Sequence, residues 1–445
     1  MSIFKAYDIR GIYPDELDEK TAEKIGAAFA RFLDAGNLVV GRDMRTMAPA
    51  IEEAVIRGIT STGCDVTRIG LSSTPMAYFA IGKLPCDGGL NVTASHNPPQ
   101  YIGFKLCREG ARPLSGDTGI QKIREMVESL SDADVRADRP GEVSDVDVRD
   151  DYVKHVLSFA EEIRPMTICV DYANGMGAYV IPRILDALPQ VEVHALYDEL
   201  DGTFPNHEAN PLKEENLEDL RKLVLETGAD LGVEFDGDAD RCAFMDGEGK
   251  VVSSDLITAI LARDLLAKHP GKGILYDIRS SRVVPEEIRR LGGRPVRERV
   301  GHSFMKETMR REDCAGGGEL SGHYYFADNY FSDSGIIALL KILNVLTKEG
   351  KSLKEVADAL RKYPSTGEIN FRVEDKEGLI RKLAEIYKDG KIDWLDGITV
   401  SYPDWWFNVR PSNTEPYLRL VLEADDEELL RKKKEELVSI LGTPV

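Results

Sequence analysis

Short apolar runs alternate with helix-period segments over the first three quarters of this 445-residue chain. Leu17, Ile25 and Phe29 fall on one helical face, and Gly36 is predicted to end that helix. Apolar runs follow at 38–40, 65–69 and 88–92, with a second helix between the first two. Strands that alternate with helices form βαβ units, so a mainly parallel sheet is predicted.

The alternation of strands and helices starts again twice along the chain. Residues 131–150 are acidic and poor in apolar residues, which suits a linker, and a second boundary is predicted at the turn 246–249. Beyond residue 363 the order changes to strand, helix, further strands and a charged terminal helix, which is an α+β pattern. We therefore predict three α/β domains, over 1–145, 146–250 and 251–363, and an α+β domain over 364–445. No strict sequence repeat accompanies the three α/β units.

The composition and charge of the chain exclude several classes of partner. The net charge of −20 argues against nucleic acid and anionic membranes as partners, because both require basic patches. The six cysteines show neither C-x-x-C nor a disulfide framework, which is typical of reduced thiols in a cytosolic protein. No signal-like N-terminus and no run of about 18 apolar residues is present. We expect a cytoplasmic protein with no membrane partner.

Residues 93–105 place a serine, a histidine and a lysine around a rigid turn. Asn97-Pro98-Pro99 cannot continue a strand or a helix, because proline fixes φ and lacks an N–H donor. Ser95 is therefore predicted to lie on a loop at a strand end, as a phosphorylatable serine. A serine-hydrolase site is not predicted, since G-x-S-x-G is missing. Adjacent residues in extended backbone also point apart, which would leave His96 poorly placed as a base for Ser95.

Three carboxylates follow the apolar run that ends at Phe235. Asp236, Asp238 and Asp240 stand at alternate positions, which point to one side of an extended backbone. Hard oxygen ligands at a strand end suit Mg²⁺. An EF-hand is excluded, because its sixth and twelfth positions hold Arg241 and Gly247 here. A solvated acidic turn is the remaining alternative.

Two further loops carry polar groups in patterns that suit a ligand. The loop 316–323 contains Glu319, Ser321 and His323, which are able to bind vicinal sugar hydroxyls. A flexible glycine-rich turn is the alternative. The loop 410–416 combines a guanidinium, two hydroxyls and an amide, a set that wraps phosphate. A capped turn of ordinary turn residues explains that loop equally well.

Taken together, these segments resemble the α-D-phosphohexomutases, and within them the phosphomannomutase/phosphoglucomutase group. The resemblance covers essentially the whole chain. It includes Tyr7-Asp8-Ile9-Arg10-Gly11, the segment Gly41–Arg45 and the four loops described above. It implies four domains around a central cleft, three related α/β domains and a C-terminal α+β domain that closes on the substrate.

The resemblance also implies an activity. Ser95 would carry a phosphoryl group, and Ser95 with Asp236, Asp238 and Asp240 would hold Mg²⁺. The phosphoserine would donate to a hexose 1- or 6-phosphate, and the other phosphate of the resulting 1,6-bisphosphate would return to it. Glucose 1,6-bisphosphate or mannose 1,6-bisphosphate would act as activator. The partners are then small hexose phosphates, and the chain is expected to be a monomer or a weak homo-oligomer.

The same resemblance assigns the remaining site residues. Lys105, Arg10 and His302 are acid–base candidates, and His96 is expected to hold the phosphoserine loop or its phosphate. The residues expected to bind substrate are Tyr7, Arg241, Arg279, Glu319, Ser321, His323, Arg410, Ser412, Asn413 and Thr414.

The sequence departs from the family at two positions. Arg279 stands where some relatives carry lysine, and Leu320 stands where methionine is frequent. The loop 316–323, with Leu320 in place of methionine, favours mannose and glucose phosphates over N-acetylglucosamine-related substrates. A phosphoglucosamine mutase, a non-catalytic sugar-phosphate-binding relative, and a phosphatase or bisphosphate synthase are the alternative functions.

Overall fold

The computed structural model describes residues 3–131, 138–412 and 417–445, and its strands form four sheets. The first sheet and its helices comprise β1 (Ile9–Ile12), α1 (Glu19–Leu33), β2 (Asn37–Arg42), α2 (Ala48–Thr60), β3 (Asp65–Leu71), α3 (Thr74–Lys83), β4 (Gly88–Val92), β5 (Tyr101–Arg108), β6 (Arg112–Pro113), α4 (Gln121–Ser129) and β7 (Val143–Asp145). Its strand order is β1-β5-β4-β2-β3-β7, with β6 beside β5.

The second and third sheets each contain five strands. The second region comprises α5 (Arg149–Leu157), β8 (Met166–Asp171), α6 (Gly177–Leu185), β9 (Val191–Leu196), α7 (Glu218–Thr227), β10 (Leu231–Phe235), β11 (Cys242–Asp246) and β12 (Val251–Val252). The third comprises α8 (Ser254–Lys268), β13 (Gly273–Asp277), α9 (Val283–Arg290), β14 (Arg294–Glu298), α10 (His302–Arg311), β15 (Cys314–Gly318), β16 (Tyr324–Phe326), β17 (Ser332–Asp333), α11 (Gly335–Glu349) and α12 (Leu353–Asp358).

The fourth sheet is entirely antiparallel, in the order β18-β22-β21-β20-β19. Its elements are β18 (Ser365–Arg372), α13 (Lys376–Ile386), β19 (Lys391–Asp393), β20 (Ile398–Ser401), β21 (Trp405–Pro411), β22 (Tyr417–Ala424) and α14 (Glu427–Leu441).

The first three sheets share one arrangement of four strands. The spatial orders are β5-β4-β2-β3, β11-β10-β8-β9 and β16-β15-β13-β14. In each set the first pair is antiparallel and the next two pairs are parallel. The three α/β units are therefore related in topology, although the sequence shows no repeat.

Local sequence signals account for many helix starts. A side chain at the N-cap accepts a hydrogen bond from a backbone N–H of the first turn, which satisfies a donor that the helix leaves free. The residues that cap in this way are Asp18, Ser73, Ser334, Ser352, Asp375 and Asp426.

Three expectations need correction. The first three sheets are mixed rather than mainly parallel, because a hairpin strand follows the third parallel strand in each. The stretch 131–150 is not only a linker, since β7 pairs with β3 and extends the first sheet. Helix α1 ends at Leu33 rather than at Gly36, because its C-cap Asp34 already adopts the left-handed conformation. The domain boundaries themselves stay a prediction.

The apolar interior is divided unequally. One large cluster runs from α3 through the second and third sheets, and a smaller one lies between the first sheet and helices α1 and α2. The fourth sheet has a core of its own. Within the described residues, the helices are too short or too polar to cross a bilayer.

Candidate functional site

Three of the predicted site segments occupy equivalent places in the three related sheets. The Ser95 loop joins β4 to β5, the Asp236–Asp240 loop joins β10 to β11, and the Glu319–His323 loop joins β15 to β16. Each loop therefore leaves the carboxyl end of a central strand and returns in a hairpin. Polar side chains at such strand ends are placed to meet a ligand.

Direct contacts bring the three loops together. Ser95 Oγ donates a 2.7 Å hydrogen bond to Asp236 Oδ2. On the other side of the metal loop, Arg241 forms an isolated antiparallel bridge with His323, and its Nε donates to His323 Nε2 over 3.1 Å. The site is thus assembled from three sheets.

The backbone at Ser95 is strained and tightly held. Ser95 has a φ of 52°, which a non-glycine residue adopts only when its surroundings impose it. Its carbonyl oxygen accepts a 2.8 Å hydrogen bond from Arg45, whose buried guanidinium also donates to the carbonyls of Asn97, Pro98 and Tyr101. Arg45 therefore fixes the serine loop from behind.

His96 lies closer to Ser95 than the sequence suggested. Its Nδ1 is 3.2 Å from Ser95 Oγ, because the left-handed φ of Ser95 removes the extended geometry on which the expectation depended. Burial, together with Arg241 and Arg10, holds the pKa of His96 well below its ordinary value. A neutral imidazole therefore contacts the serine hydroxyl at neutral pH.

The three aspartates form a compact buried cluster. Oxygens of Asp236, Asp238 and Asp240 lie within 4.8 Å of one another. Asp238 Oδ1 and Asp240 Oδ1 are buried and accept no hydrogen bond from the residues that the structure describes, so they are available to a cation. Burial and the other two carboxylates raise the pKa of Asp236 well above its ordinary value. This donor set fits Mg²⁺, which prefers carboxylate oxygens and keeps positions open for other ligands.

A glycine allows the metal loop to approach the serine loop. A Cβ at Gly237 would stand 2.5 Å from the carbonyl oxygen of Ser95, well inside any normal contact. Only glycine leaves room for this backbone approach. The spacing that the sequence showed between the aspartates therefore has a steric reason as well as a chemical one.

Lys105 and Arg10 both lie beside the two loops. Lys105 Nζ donates to Asp238 Oδ2 over 2.7 Å and also to Asp240. Burial alone would lower the pKa of the Lys105 ammonium, but these carboxylates outweigh it and hold that pKa above the ordinary value. Arg10 donates to Asn97 Oδ1 over 2.5 Å and to the carbonyl of Ala94. Both cations therefore steady the serine and metal loops.

The third loop presents acceptor and donor groups to the same region. Glu319 accepts hydrogen bonds from the backbone N–H of Gly301 and from the hydroxyl of Tyr325. Ser321 Oγ lies 2.9 Å from His323 Nδ1. Burial and Arg241 hold the pKa of His323 well below its ordinary value, so its imidazole is neutral.

His302 and Tyr7 face this loop from another side. The His302 ring stacks on His323 with centroids 5.8 Å apart, and the Tyr7 hydroxyl donates to the carbonyl of Val300. Both ring nitrogens of His302 are buried and have no hydrogen-bond partner among the described residues. Burial and the cations of Lys306 and Lys105 hold the pKa of His302 well below its ordinary value. His302 is thus a neutral, unused base.

The phosphate-binding residues predicted near the C-terminus are only partly described. Arg410 and Ser412 are buried at the end of β21, whereas Asn413 and Thr414 lie outside the described residues. Arg279, which follows β13 of the third sheet, and Arg410 both donate hydrogen bonds to the carboxylate of Glu368. The structure therefore brings Arg279 and Arg410 together across two domains.

Several residues of this region had no predicted role. Thr74 donates to Asp238 Oδ2 over 2.5 Å, and a fully buried ion pair of Lys306 and Asp333 stands next to His323. Arg45 lies in the segment 41–45 that carried the family resemblance, so a signal for it existed. Thr74, Lys306 and Asp333 come from ordinary-looking segments, and only their packing reveals them.

The comparisons with known proteins agree with this geometry. Four profiles described as phosphoglucomutase/phosphomannomutase match the chain: alpha/beta/alpha domain I over residues 1–134, domain II over 150–249, domain III over 253–363 and the C-terminal domain over 368–440. The chain therefore belongs to the phosphoglucomutase/phosphomannomutase family. The predicted fold class, three α/β domains and a C-terminal domain, is confirmed.

Individual relatives are similar over their whole length. A phosphomannomutase of Salmonella montevideo is 39% identical over 453 residues, which cover 100% of this chain and 99% of the relative. The crystal structure of a phosphoglucomutase/phosphomannomutase family protein from Burkholderia thailandensis superposes with a TM-score of 0.91 at 32% identity, covering 99% of this chain and 96% of that one.

A more distant structure has the same fold. An N-acetylphosphoglucosamine mutase of Aspergillus fumigatus, solved in complex with GlcNAc-6P and magnesium, superposes with a TM-score of 0.65 at 15% identity. The superposition covers 97% of this chain and 94% of the Aspergillus chain. At that identity it supports the fold alone.

Proposed function

We propose that this protein is a hexose-phosphate mutase that interconverts hexose 1-phosphates and hexose 6-phosphates of mannose, glucose or both. The observation that carries the proposal is the hydrogen bond from Ser95 Oγ to Asp236 Oδ2, inside a cluster of three buried carboxylates. Family membership and relatives named phosphomannomutase support it. The alternatives, a phosphoglucosamine mutase or a non-catalytic relative, have no observation in their favour here.

The metal loop suits phosphoryl transfer at Ser95. Asp236, Asp238 and Asp240 would hold Mg²⁺ together with an oxygen at Ser95. When bound, the ion would neutralise charge on the phosphoryl group, which is the main requirement of this chemistry. Lys105 adds a permanent positive charge beside the same carboxylates.

The transfer step balances with the groups present. The bond between phosphorus and Ser95 Oγ breaks while a bond forms from phosphorus to a free hydroxyl oxygen of the hexose phosphate. We infer that His302 accepts the hydroxyl proton, since its neutral ring nitrogens have no partner within the described residues. The leaving oxygen of Ser95 takes up a proton, for which we propose the ammonium of Lys105, beside the same carboxylates, as the donor. In the return step the same groups act in reverse, and the second phosphoryl group of the 1,6-bisphosphate returns to Ser95.

The remaining residues would hold the sugar and its second phosphate. Glu319, Ser321 and His323 would bind ring hydroxyls, while Arg241 steadies His323. Arg410 and Ser412, with Asn413 and Thr414 as predicted from the sequence, would bind the phosphate that is not transferred. Tyr7 and Arg279 would line the same cleft. A bisphosphate of glucose or mannose would phosphorylate the resting enzyme; the cytoplasmic location and the monomeric or weakly oligomeric state stay predictions.

The test is the mass of the intact protein before and after incubation with glucose 1,6-bisphosphate. We expect a gain of one phosphoryl group that maps to Ser95, and turnover of mannose 1-phosphate and glucose 1-phosphate in a coupled assay with Mg²⁺. Ser95→Ala should abolish both. Ser129→Ala, on the exposed face of α4, is the matched control and should change neither. Full turnover by Ser95→Ala would overturn the proposal.

A further inference from the structure

The carboxylate of Glu368, in the fourth domain, accepts hydrogen bonds from three arginine side chains. Glu368, on β18, accepts through Oε2 from Arg410 Nη2 over 2.9 Å and from Arg279 Nη1 over 3.4 Å. Its Oε1 accepts from Arg419 Nη1 over 3.0 Å. Two of these arginines, Arg279 and Arg410, are the residues proposed above to meet the substrate.

The sheet forces these positive charges together. Arg410 on β21 and Arg419 on β22 are directly opposite in register, an arrangement that is unfavourable for like charges. Arg279 is held nearby from the third domain, because Asp277 accepts from its Nη2 over 2.7 Å. Asp277 offsets part of the charge of Arg279, and Glu368 is a counter-ion that Arg410 and Arg419 share. Without that carboxylate the three guanidiniums would form a strong anion site.

We propose that Glu368 is an internal competitor of the substrate's phosphate: in the free enzyme its carboxylate occupies Arg410 and Arg279, and a bound phosphate replaces it there. This inference rests on the proposed function, since it concerns the phosphate that is not transferred. It adds a residue to that site which neither the sequence motifs nor the proposed mechanism used.

Arg410 has capacity for both anions in turn. Its Nη2 is occupied by Glu368, while its Nε is buried and has no hydrogen-bond partner within the described residues. A phosphate that displaces Glu368 is therefore able to accept hydrogen bonds from both Nε and Nη2 of this guanidinium.

The exchange has a use in a mutase. A 1,6-bisphosphate must release its anchored phosphate, turn over and bind again through the other one. An anchor in which no carboxylate competed for Arg410 would hold the phosphate more tightly and slow that step. Competition from Glu368 limits the affinity, and it also places the phosphate at the contact between Arg279 of the third domain and Glu368 on β18 of the fourth.

The test measures binding of inorganic phosphate to protein that cannot turn over, the Ser95→Ala variant without Mg²⁺, by titration calorimetry. Adding Glu368→Gln removes the competing charge and keeps the size of the side chain. We expect phosphate to bind about fivefold more tightly or better, the lower range of ordinary couplings between ligands of one site. Glu368→Asp, one methylene shorter, should tighten binding less and serves if the first variant does not fold.

Two further variants locate the effect. Arg410→Met, combined with Glu368→Gln, should abolish the gain. Glu423→Gln is the matched control, because Glu423 also joins the third and fourth domains, through Arg282, but contacts none of the three arginines. Unchanged or weaker phosphate binding in Glu368→Gln would overturn the inference, as would an equal gain in the control or a gain that survives Arg410→Met.

The result separates this inference from the proposed function. If phosphate binds more tightly to Glu368→Gln but the wild-type protein neither becomes phosphorylated nor turns over hexose phosphates, the competition stands and the mutase proposal fails. If turnover is confirmed and phosphate affinity does not rise, Glu368 is a structural counter-ion only and this inference alone fails.

Discussion

The hydroxyl of Ser95 and the carboxylate of Asp236 are joined by a 2.7 Å hydrogen bond across 141 positions of the chain. The two residues follow equivalent strands of two different sheets, β4 and β10. The contact between their loops brings a serine hydroxyl to a cluster of buried carboxylates, where we propose phosphoryl transfer. The following predictions test how that contact is held and used.

Mg²⁺ should stabilise this protein through the aspartate cluster. A ligand that binds only the folded state raises the melting temperature by mass action, so MgCl₂ should raise that of the wild-type protein. Asp238→Asn removes one of the free buried oxygens and should weaken Mg²⁺ binding by at least about 100-fold. Scanning calorimetry with and without MgCl₂ measures this. Asp186→Asn, at an exposed helix end, should respond to MgCl₂ as the wild type does.

Arg45 should be required for the conformation of the serine loop. Arg45→Lys keeps the charge but loses the planar fork that donates to four backbone carbonyls. We expect the free energy of unfolding to fall by about 2–4 kcal/mol, and phosphorylation of Ser95 to slow. Denaturant unfolding and intact mass over time measure the two effects. The exposed Arg57→Lys should show neither, and a fully active Arg45→Lys would contradict the role.

Gly237 should tolerate no side chain. A Cβ there would meet the Ser95 carbonyl at 2.5 Å, so Gly237→Ala must push the metal loop and the serine loop apart. We expect a loss of turnover of about 100-fold, since displacements of about 1 Å in an active site have this effect. The same substitution at Gly36, which is exposed and has no atom closer than 3.6 Å to the added Cβ, is the control. Equal activity of the two variants would exclude the steric explanation.

His207 should give the second domain a pH-dependent stability. Burial by itself would lower the pKa of its imidazole, but Asp171, 3.1 Å from Nε2, outweighs burial and raises that pKa to about 9. A raised pKa stabilises the folded state fully below the unfolded value of about 6.5 and loses this contribution as pH rises to about 9. Burial also raises the pKa of Asp171, which offsets part of this gain. We therefore expect the pair to contribute roughly 1–3 kcal/mol to the free energy of unfolding.

The measurement is the free energy of unfolding between pH 6 and pH 9.5, with Mg²⁺ present. The wild-type protein should lose stability across this range relative to His207→Gln. His194→Gln, at a partly exposed histidine on β9, should follow the wild-type curve. Parallel curves for the wild type and His207→Gln would show that the ion pair contributes nothing.

The motifs and their order along the chain were predictable because each depends on local chemistry. Pro98 and Pro99 keep a strand or a helix from continuing through the turn after Ser95. Alternating aspartates after an apolar strand indicate a cation site wherever that strand lies. Helix starts such as those of α1 and α14 follow from the capping residues Asp18 and Asp426. The prediction of three α/β domains and one α+β domain follows from the same local patterns.

The sequence by itself therefore determined the fold class and the order of the motifs, from which we propose the side chains that act in phosphoryl transfer. The tertiary structure alone decided that β5, β11 and β16 run antiparallel, that a left-handed Ser95 puts His96 beside its hydroxyl, and that Arg45 and Glu368 hold the loops and arginines in place. The physical reason is the separation along the chain over which each kind of interaction acts. Propensity and periodicity act within a few residues, whereas close backbone approach and charge compensation depend on segments that meet only after the sheets have packed.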